Sequence, residues 1–338
     1  MERTLAGVWH QEIIPHLAQP LRQIMASVPD ELLSRATELR LRAAGPLQVI
    51  LVKGDIFISE EGRSVPDPRL AWRVPPQVLI DSWQILCRGS VYAWEEETRQ
   101  GFLTLGGGHR VGLAGRFLAE GGRVLRLRQI GSLAVRLSRQ VTGCADAVLP
   151  ALMDEELRTI HHSLLYSPPG AGKTTLLRDL VRQISEGRPR LQLPGRRVTV
   201  IDERCELAAC RDGYSQYDLG PRTDVLDACP KADGILMALR SLNPEVIAFD
   251  EISQAGEVRA VLEAAYAGVR VITTAHARVL SDLQERPALE LLFAGRAFQR
   301  FVRLERRNRP GFIVSVEGLN QPRGRIQRWG GTTWSKPV

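Results

Sequence analysis

The sequence predicts an α/β protein: a phosphate-loop domain on a parallel sheet, preceded by a smaller α+β domain. Three observations predict it. The stretch Ser167-Pro168-Pro169-Gly170-Ala171-Gly172-Lys173-Thr174-Thr175 follows a short apolar run at 164–166. It precedes Leu176, Leu177, Leu180, Val181 and Ile184, which share one face of a helix of period 3.6. Further apolar runs at 198–201, 246–249 and 269–273 alternate with helical patterns, and such alternation implies a parallel sheet. Upstream, the hydrophobic period falls to two, as in an antiparallel sheet with one polar face.

The elements follow in order. Leu39 and Leu41 alternate with Arg40 and Arg42. An apolar run at 47–52 ends at Lys53-Gly54-Asp55, and Ile56, Phe57 and Ile58 resume a strand. Pro75-Pro76 opens a helix, and 78–100 reads as mainly helical, with Trp83, Leu86, Val91 and Trp94 as core candidates. Residues 102–105 form a strand and Gly106-Gly107-Gly108-His109 a turn. That turn lacks a nucleotide-fingerprint spacing and reads as structural. Val111, Leu113, Gly115 and Phe117 then oppose Arg110 and Arg116. Glu120-Gly121-Gly122 is a hairpin turn, Leu125 and Leu127 alternate with Arg126 and Arg128, and Leu133, Val135 and Leu137 repeat the pattern around Arg136. Residues 142–160 read as a linker and a helix. Pro189 and Pro194-Gly195 mark the loop before the second parallel strand. In the helix at 255–267, Val258, Val261, Leu262 and Ala265 share a face. The expected division is 1–145 for the α+β domain, 146–310 for the phosphate-loop domain and 311–338 for a basic C-terminal tail.

Composition bounds the function. The 338 residues are 44% hydrophobic and 25% charged, as in an ordinary globular protein of about two domains. No apolar run approaches the roughly 18 residues of a transmembrane helix. Polar residues from Glu2 to His16 interrupt any signal-peptide core, so a cytoplasmic location is expected. Five scattered cysteines without a C-x-x-C pair give neither a disulfide framework nor a zinc site. The net charge of +7 is concentrated late, at Arg296, Arg300, Arg303, Arg306, Arg307, Arg309, Arg323, Arg325 and Arg328. Such a face suits an anionic membrane, nucleic acid or an acidic partner. Aromatic content of 6% disfavours stacking on single-stranded bases.

The chemistry gathers at one edge. A Gly-rich turn aims backbone N–H groups at an anion, and the following helix adds its partial positive charge. Residues 167–175 are therefore the candidate nucleotide contacts. Lys173 would reach the β- and γ-phosphates of ATP, and the Thr174 hydroxyl would hold Mg²⁺. The strict pattern has glycine at 167. If that position requires φ > 0, Ser167 costs about 1 kcal/mol. The carboxyl ends of parallel strands line one crevice, so Asp202, Glu203 and Glu206, then Asp250-Glu251, then His276 converge on the phosphate loop. Asp250 would hold the metal through water and Glu251 would orient or deprotonate the attacking water. Of the further carboxylates, Asp202 is the candidate for the metal shell and Glu203 for polarising water. His276 would sense the γ-phosphate. Arg222 and Arg240 are candidates for stabilising its charge, within the chain or from a neighbouring subunit.

The runs 167–180, 200–206, Arg222-Thr223-Asp224-Val225-Leu226-Asp227-Ala228-Cys229-Pro230-Lys231 and Arg240-Ser241-Leu242-Asn243-Pro244-Glu245-Val246-Ile247 closely resemble the stage III sporulation protein AA family. So do Gly106-Gly107-Gly108-His109-Arg110-Val111-Gly112-Leu113-Ala114-Gly115 and Glu38-Leu39-Arg40-Leu41-Arg42. The likeness spans roughly 32–304. It implies a RecA-like P-loop ATPase domain related to type II and type IV secretion ATPases, and a hexameric cytoplasmic motor using ATP and Mg²⁺. Its implied partners are membrane proteins of the sporulation channel complex, bridging mother cell and forespore, and further copies of the chain. Peripheral contact at the inner face of a membrane is allowed and nucleic acid is disfavoured. Asp202-Glu203-Arg204-Cys205-Glu206 and Thr273-Thr274-Ala275-His276 look like the acidic and histidine boxes of secretion ATPases. Departures from the family pattern are Ser167, Ala171 in place of cysteine and Ser253 in place of glycine. Two other classes stay open: an ATPase stimulated by nucleic acid, and a scaffold that uses nucleotide only to order its oligomer. No transporter-type Leu-Ser-Gly-Gly-Gln signature lies between Lys173 and Asp250.

Overall fold

The computed structural model describes residues 4–87, 98–99, 101–121, 123–138, 140–211, 213–295, 297–307 and 311–318. The expected core residues Val91 and Trp94, and Arg296, Arg309, Arg323, Arg325 and Arg328, lie outside them. The chain forms two compact units, Met1–Arg139 and Gln140–Val338.

In the first unit, seven strands form one antiparallel sheet: β1 (Ala36–Arg42), β2 (Gln48–Leu51), β3 (Asp55–Ile58), β4 (Ser64–Val65), β5 (Phe102–Thr104), β6 (Arg110–Glu120) and β7 (Arg123–Arg136). Their order is β4-β3-β2-β1-β7-β6-β5. Leu39, Leu41 and Val135 from the sheet pack with Trp9, Leu21 and Met25 from the N-terminal helices and Leu79 and Trp83 from the helix Pro76–Leu86. Leu133 and Val135 belong to the long strand β7, not to a separate strand. The β6–β7 ladder shifts register at Ala114/Gly115, Arg116/Phe117 and Leu118/Ala119. Each bulge re-aims the side chains, so the simple alternation along 111–117 does not persist. A β-carbon at Gly115 would fall 2.0 Å from the Gln129 carbonyl oxygen, so this bulge needs glycine. The Gly106–Gly108 turn is structural: the buried His109 that follows it bonds Glu12 at 3.0 Å and accepts the Ser138 N–H at 3.1 Å.

The second unit holds a small ribbon, β8 (Met153–Asp154) and β9 (Thr159–Ile160), and a seven-stranded sheet. Its strands are β10 (Ser163–Ser167), β11 (Val198–Asp202), β12 (Thr223–Asp227), β13 (Val246–Phe249), β14 (Arg270–His276), β15 (Arg300–Glu305) and β16 (Phe312–Gly318). The order is β12-β11-β13-β14-β10-β15-β16; all neighbours pair in parallel except β15 with β16. Both faces are covered. Leu165, Val200 and Ala248 face the helix Lys173–Glu186 through Leu176, Leu177 and Leu180. Leu164, Ile201 and Phe249 face Ile235, Val258 and Val261 on the other side. A sheet buried on both faces reads as continuous apolar runs, which is why β10, β11, β13 and β14 are legible.

Two boundaries differ from expectation. Cys144 and Ala145 belong to the second core, and the Ala145 N–H donates to Asp179 at 2.8 Å, so the second unit begins before 145. Strand β16 extends the sheet into the stretch assigned to a basic tail. Among the described residues, no helix is long and apolar enough to cross a membrane.

Candidate functional site

Strand β10 runs through Ser167, and the chain turns over Pro168–Gly172 into the helix Lys173–Glu186. Gly170 and Gly172 have φ of 71° and 94°, in the left-handed region where glycine alone is unstrained. Ser167 keeps strand backbone and is absent from the positive-φ positions, so serine carries no backbone cost there. The buried Lys173 Nζ lies 3.2 Å from the Ser167 carbonyl oxygen, 3.3 Å from Ser167 Oγ, 3.4 Å from the Pro168 carbonyl oxygen and 3.0 Å from His276 Nδ1. An ammonium has three N–H bonds and no acceptor. Four acceptors therefore share three donors, and the His276 contact needs the Nδ1 lone pair, which puts the ring proton on Nε2. Burial lowers the Lys173 pKa, while Asp250 and Glu251 oppose that shift. His276 sits beside Ser167 because β14 pairs with β10 in that register.

Asp250 follows β13 and meets Thr174. Its Oδ2 accepts the Thr174 hydroxyl at 2.5 Å, and its Oδ1 accepts the Thr274 hydroxyl. Thr274 Oγ1 in turn accepts the Glu251 N–H at 2.9 Å. Thr274 thus ties both acidic residues to β14, a part not expected from the sequence although the residue lies in the histidine box. The Glu251 carboxylate lies 3.2 Å from Arg204 Nη1 and 3.9 Å from His276 Nε2. Thr174 and Asp250 offer hard oxygen donors on facing elements, the donor set Mg²⁺ prefers.

The acidic loop after β11 is built differently. Asp202 is buried and accepts the Glu206 N–H at 2.8 Å on Oδ1, and the Leu207 and Ala208 N–H groups at 3.0 and 2.7 Å on Oδ2. Burial raises its pKa and these three bonds oppose the rise. Both oxygens thereby accept main-chain N–H groups, so in this structure Asp202 holds the loop, and these contacts give the expected metal-shell role no support. From the opposite side, the buried Arg178 donates to the Leu207 carbonyl at 2.7 Å and the Glu206 carbonyl at 2.5 Å, and stacks on Tyr217 at 4.0 Å. Glu203 pairs with Lys231 at 3.3 Å. Asp202, Glu203, Arg204, Lys231, Asp250 and Glu251 line one small cleft.

The two expected arginines lie elsewhere in the chain's own fold. Arg222 precedes β12, at the opposite edge of the sheet, and its Nη1 donates to the Ser185 carbonyl at 2.9 Å. Arg240 is exposed in the last turn of the helix Lys231–Ser241, about 14 Å along the axis from Lys231. Neither therefore reaches the loop within the chain. The arginine beside the loop is Arg306: a β-carbon on Gly170 would meet its Nη1 at 3.8 Å, and the Gly311 N–H donates to the Ala171 carbonyl at 2.8 Å. The β15–β16 connection brings it there, and the sequence showed it only as one of a basic run.

The family described as "Sporulation stage III, protein AA" matches residues 9–326. The chain is 38% identical over 305 residues to Stage III sporulation protein AA of Bacillus subtilis (strain 168), covering 90% of this chain and 94% of that protein. Among solved structures, the pilus retraction motor PilT with bound ADP aligns with a TM-score of 0.53 at 17% identity, over 85% of this chain and 78% of that one. The ATPase DotB of Legionella pneumophila aligns with a TM-score of 0.52 at 16% identity, over 79% and 72%. At such identities the likeness speaks for the fold, which is that of RecA-like secretion ATPases.

Proposed function

The chain belongs to the sporulation stage III, protein AA family, and on that footing we propose that it is an ATP-hydrolysing motor of a secretion-type channel complex acting from mother cell to forespore during endospore formation. The observation that carries the reading is the meeting of Lys173, Thr174, Asp250, Glu251 and His276 at the carboxyl edge of one parallel sheet. Phosphate oxygens offer Lys173 better acceptors than the loop's own carbonyls, and the loop N–H groups complete the cradle. Mg²⁺, held by Thr174 and Asp250, would neutralise charge on the phosphates. Glu251 orients the attacking water and accepts its proton. The Nε2–H of His276 faces the Glu251 carboxylate and the space beside it, so the ring reports whether a γ-phosphate is present. Arg306 adds charge at the loop from within the chain. Arg240, exposed, is the arginine free to act on a neighbouring subunit's nucleotide in a hexamer. Membrane proteins of the channel complex are the proposed partners, reached from the cytoplasmic face.

ATP hydrolysis by the purified chain with Mg²⁺, read beside Lys173→Ala and Glu251→Gln while light scattering reports mass, tests this. Turnover lost in both variants and a nucleotide-dependent oligomer are expected. Turnover that survives Glu251→Gln would reject the assigned chemistry. A monomer under every nucleotide condition, with the membrane partner present, would reject the motor.

A further inference from the structure

Lys231 is a buried cation to which the sequence assigns no role. It opens the helix Lys231–Ser241, and its side chain is 6% exposed. A buried ammonium is unfavourable unless every N–H finds an acceptor. Lys231 Nζ has three: Glu257 Oε1 at 2.9 Å, the Glu251 carbonyl oxygen at 2.8 Å and Glu203 Oε2 at 3.3 Å. Glu257 is itself fixed, because its Oε2 accepts the Ser253 and Gln254 N–H groups at 2.7 and 3.0 Å, at the start of the helix Ala255–Tyr266. The carbonyl that Lys231 holds belongs to a residue with φ of 58°. A glutamate there adopts the left-handed conformation uncommon outside glycine, and it persists only where the surroundings over-determine it. Glu251 is held on both sides: its N–H by Thr274 and its C=O by Lys231.

We propose that Lys231 is a positioning residue for ATP hydrolysis, holding Glu251 in its left-handed conformation and coupling it to the acidic loop through Glu203. This rests on the hydrolytic reading above. Lys231 touches no phosphate in this scheme; it acts through Glu251. Without it, the Glu251 carbonyl loses its partner, and Glu203 and Glu257 lose their shared cation. The backbone at 251 then relaxes, and the carboxylate swings away from its place beside Arg204 and His276. The loop that Asp202 and Arg178 clamp would no longer be linked to the water-orienting residue.

The test uses the full chain with Lys231→Met, which keeps length and removes charge, Lys231→Arg, and Glu203→Gln. Turnover, affinity for a fluorescent ATP analogue with Mg²⁺, and hydrogen exchange across 250–254 are measured for each. Lys231→Met should lose about 10²-fold in kcat, the scale of a misplaced catalytic group, with affinity within about threefold of wild type. Lys231→Arg should recover part of the loss, and Glu203→Gln should lose less and add nothing to Lys231→Met. Exchange at 250–254 should quicken in Lys231→Met. Wild-type kcat in Lys231→Met, or affinity falling as far as kcat, would overturn the positioning role. If Lys231→Met does not fold, Lys231→Arg and Glu203→Gln carry the kcat-against-affinity comparison. A wild-type chain without turnover would defeat the hydrolytic reading instead, and exchange then decides the remaining claim: unchanged protection at 250–254 means that Lys231 does not hold Glu251.

Discussion

On the phosphate-loop side of the site, most contacts join side chains, Lys173 to His276 and Ser167 Oγ and Thr174 to Asp250, and the two loop carbonyls near Lys173 are the exception. On the acidic-loop side the polar side chains bind main chain: Asp202 takes three N–H groups, Arg178 two carbonyls and Lys231 one. Contacts of the first kind can be exchanged for a ligand's oxygens at little loss, since each partner gains a new acceptor or donor. Those of the second kind cannot, because each would leave a buried backbone group unpaired. One half is arranged to change on binding and the other to stay fixed. Substitutions in the two halves should therefore fail in different ways.

The largest effects belong to the exchangeable half. Lys173→Ala should abolish measurable ATP binding and turnover together while the melting temperature holds or rises, since the charge that is removed is one that burial disfavours. Glu251→Gln should keep ATP binding and lose about 10²–10⁴ in turnover, the range for a missing general base. Equilibrium binding and steady-state rates check both. A Lys173→Ala chain that unfolds would mean that the lysine is part of the scaffold.

Next comes the fixed half. Asp202→Ala should strand three main-chain N–H groups, two of them buried, and cost about 2–4 kcal/mol of stability in urea unfolding. Arg178→Met should cost about as much, and the double variant less than the sum, because both act on the same loop. ATP affinity in the folded fraction should change little. If Asp202→Ala instead kept full stability and lost Mg²⁺ dependence, the metal-shell role expected from the sequence would return.

Much of this was readable beforehand, and the reasons for the gaps are physical. The strands β10, β11, β13 and β14 are covered on both faces, so their apolar runs announce them. Strand β12 lies at the sheet edge and has no buried residue, and β15 carries Arg300 and Arg303; both look like surface. The same holds in the site. The glycines, Lys173 and the acidic pairs at strand ends mark its position through spacing. Whether a carboxylate faces a metal or a backbone amide depends on the path of the next five residues, so Asp202 and Asp250 look alike in sequence. Lys231 was visible in the family-like run 222–231, yet nothing local reveals that Glu203, Glu251 and Glu257 surround it. His109, which could pass for a site residue after three glycines, is a buried structural histidine in the other unit.

A moderate effect should come from pH, through His162 at the start of the sheet rather than the site. Its Nδ1 accepts the Val271 N–H at 3.2 Å. Burial, with Arg270 and His161 nearby, lowers its pKa to about 4. In the unfolded chain the ring titrates near 6.5. Between those values the unfolded state takes up a proton that the folded state refuses, so stability is full above about pH 6.5 and falls as the pH drops toward 4. The loss is on the order of 3 kcal/mol for this ring. His109 and His161, lowered by burial first, add in the same direction. Unfolding midpoints at pH 7 and pH 5 should therefore differ more for wild type than for His162→Asn. Equal differences would show that the ring is protonated in the folded chain.

The smallest expected effects lie at the rim of the cleft. Arg204 is 66% exposed and its pair with Glu251 meets solvent, where such pairs contribute about 0–1 kcal/mol. Arg204→Gln should leave stability unchanged and shift turnover by less than about threefold. Arg222→Gln should act still more narrowly: it removes the bond to the Ser185 carbonyl at the far end of the phosphate-loop helix, a surface contact of about 1 kcal/mol. Turnover of that variant, measured where the chain is assembled, separates two roles that sequence alone left open. Full activity places Arg222 with the structural groups of the far edge. A loss of 10³-fold or more, the scale of an arginine acting on the γ-phosphate, would mean that a neighbouring subunit presents Arg222 to the exchangeable half of this site, and the division between fixed and exchangeable groups would then have to be drawn across two chains.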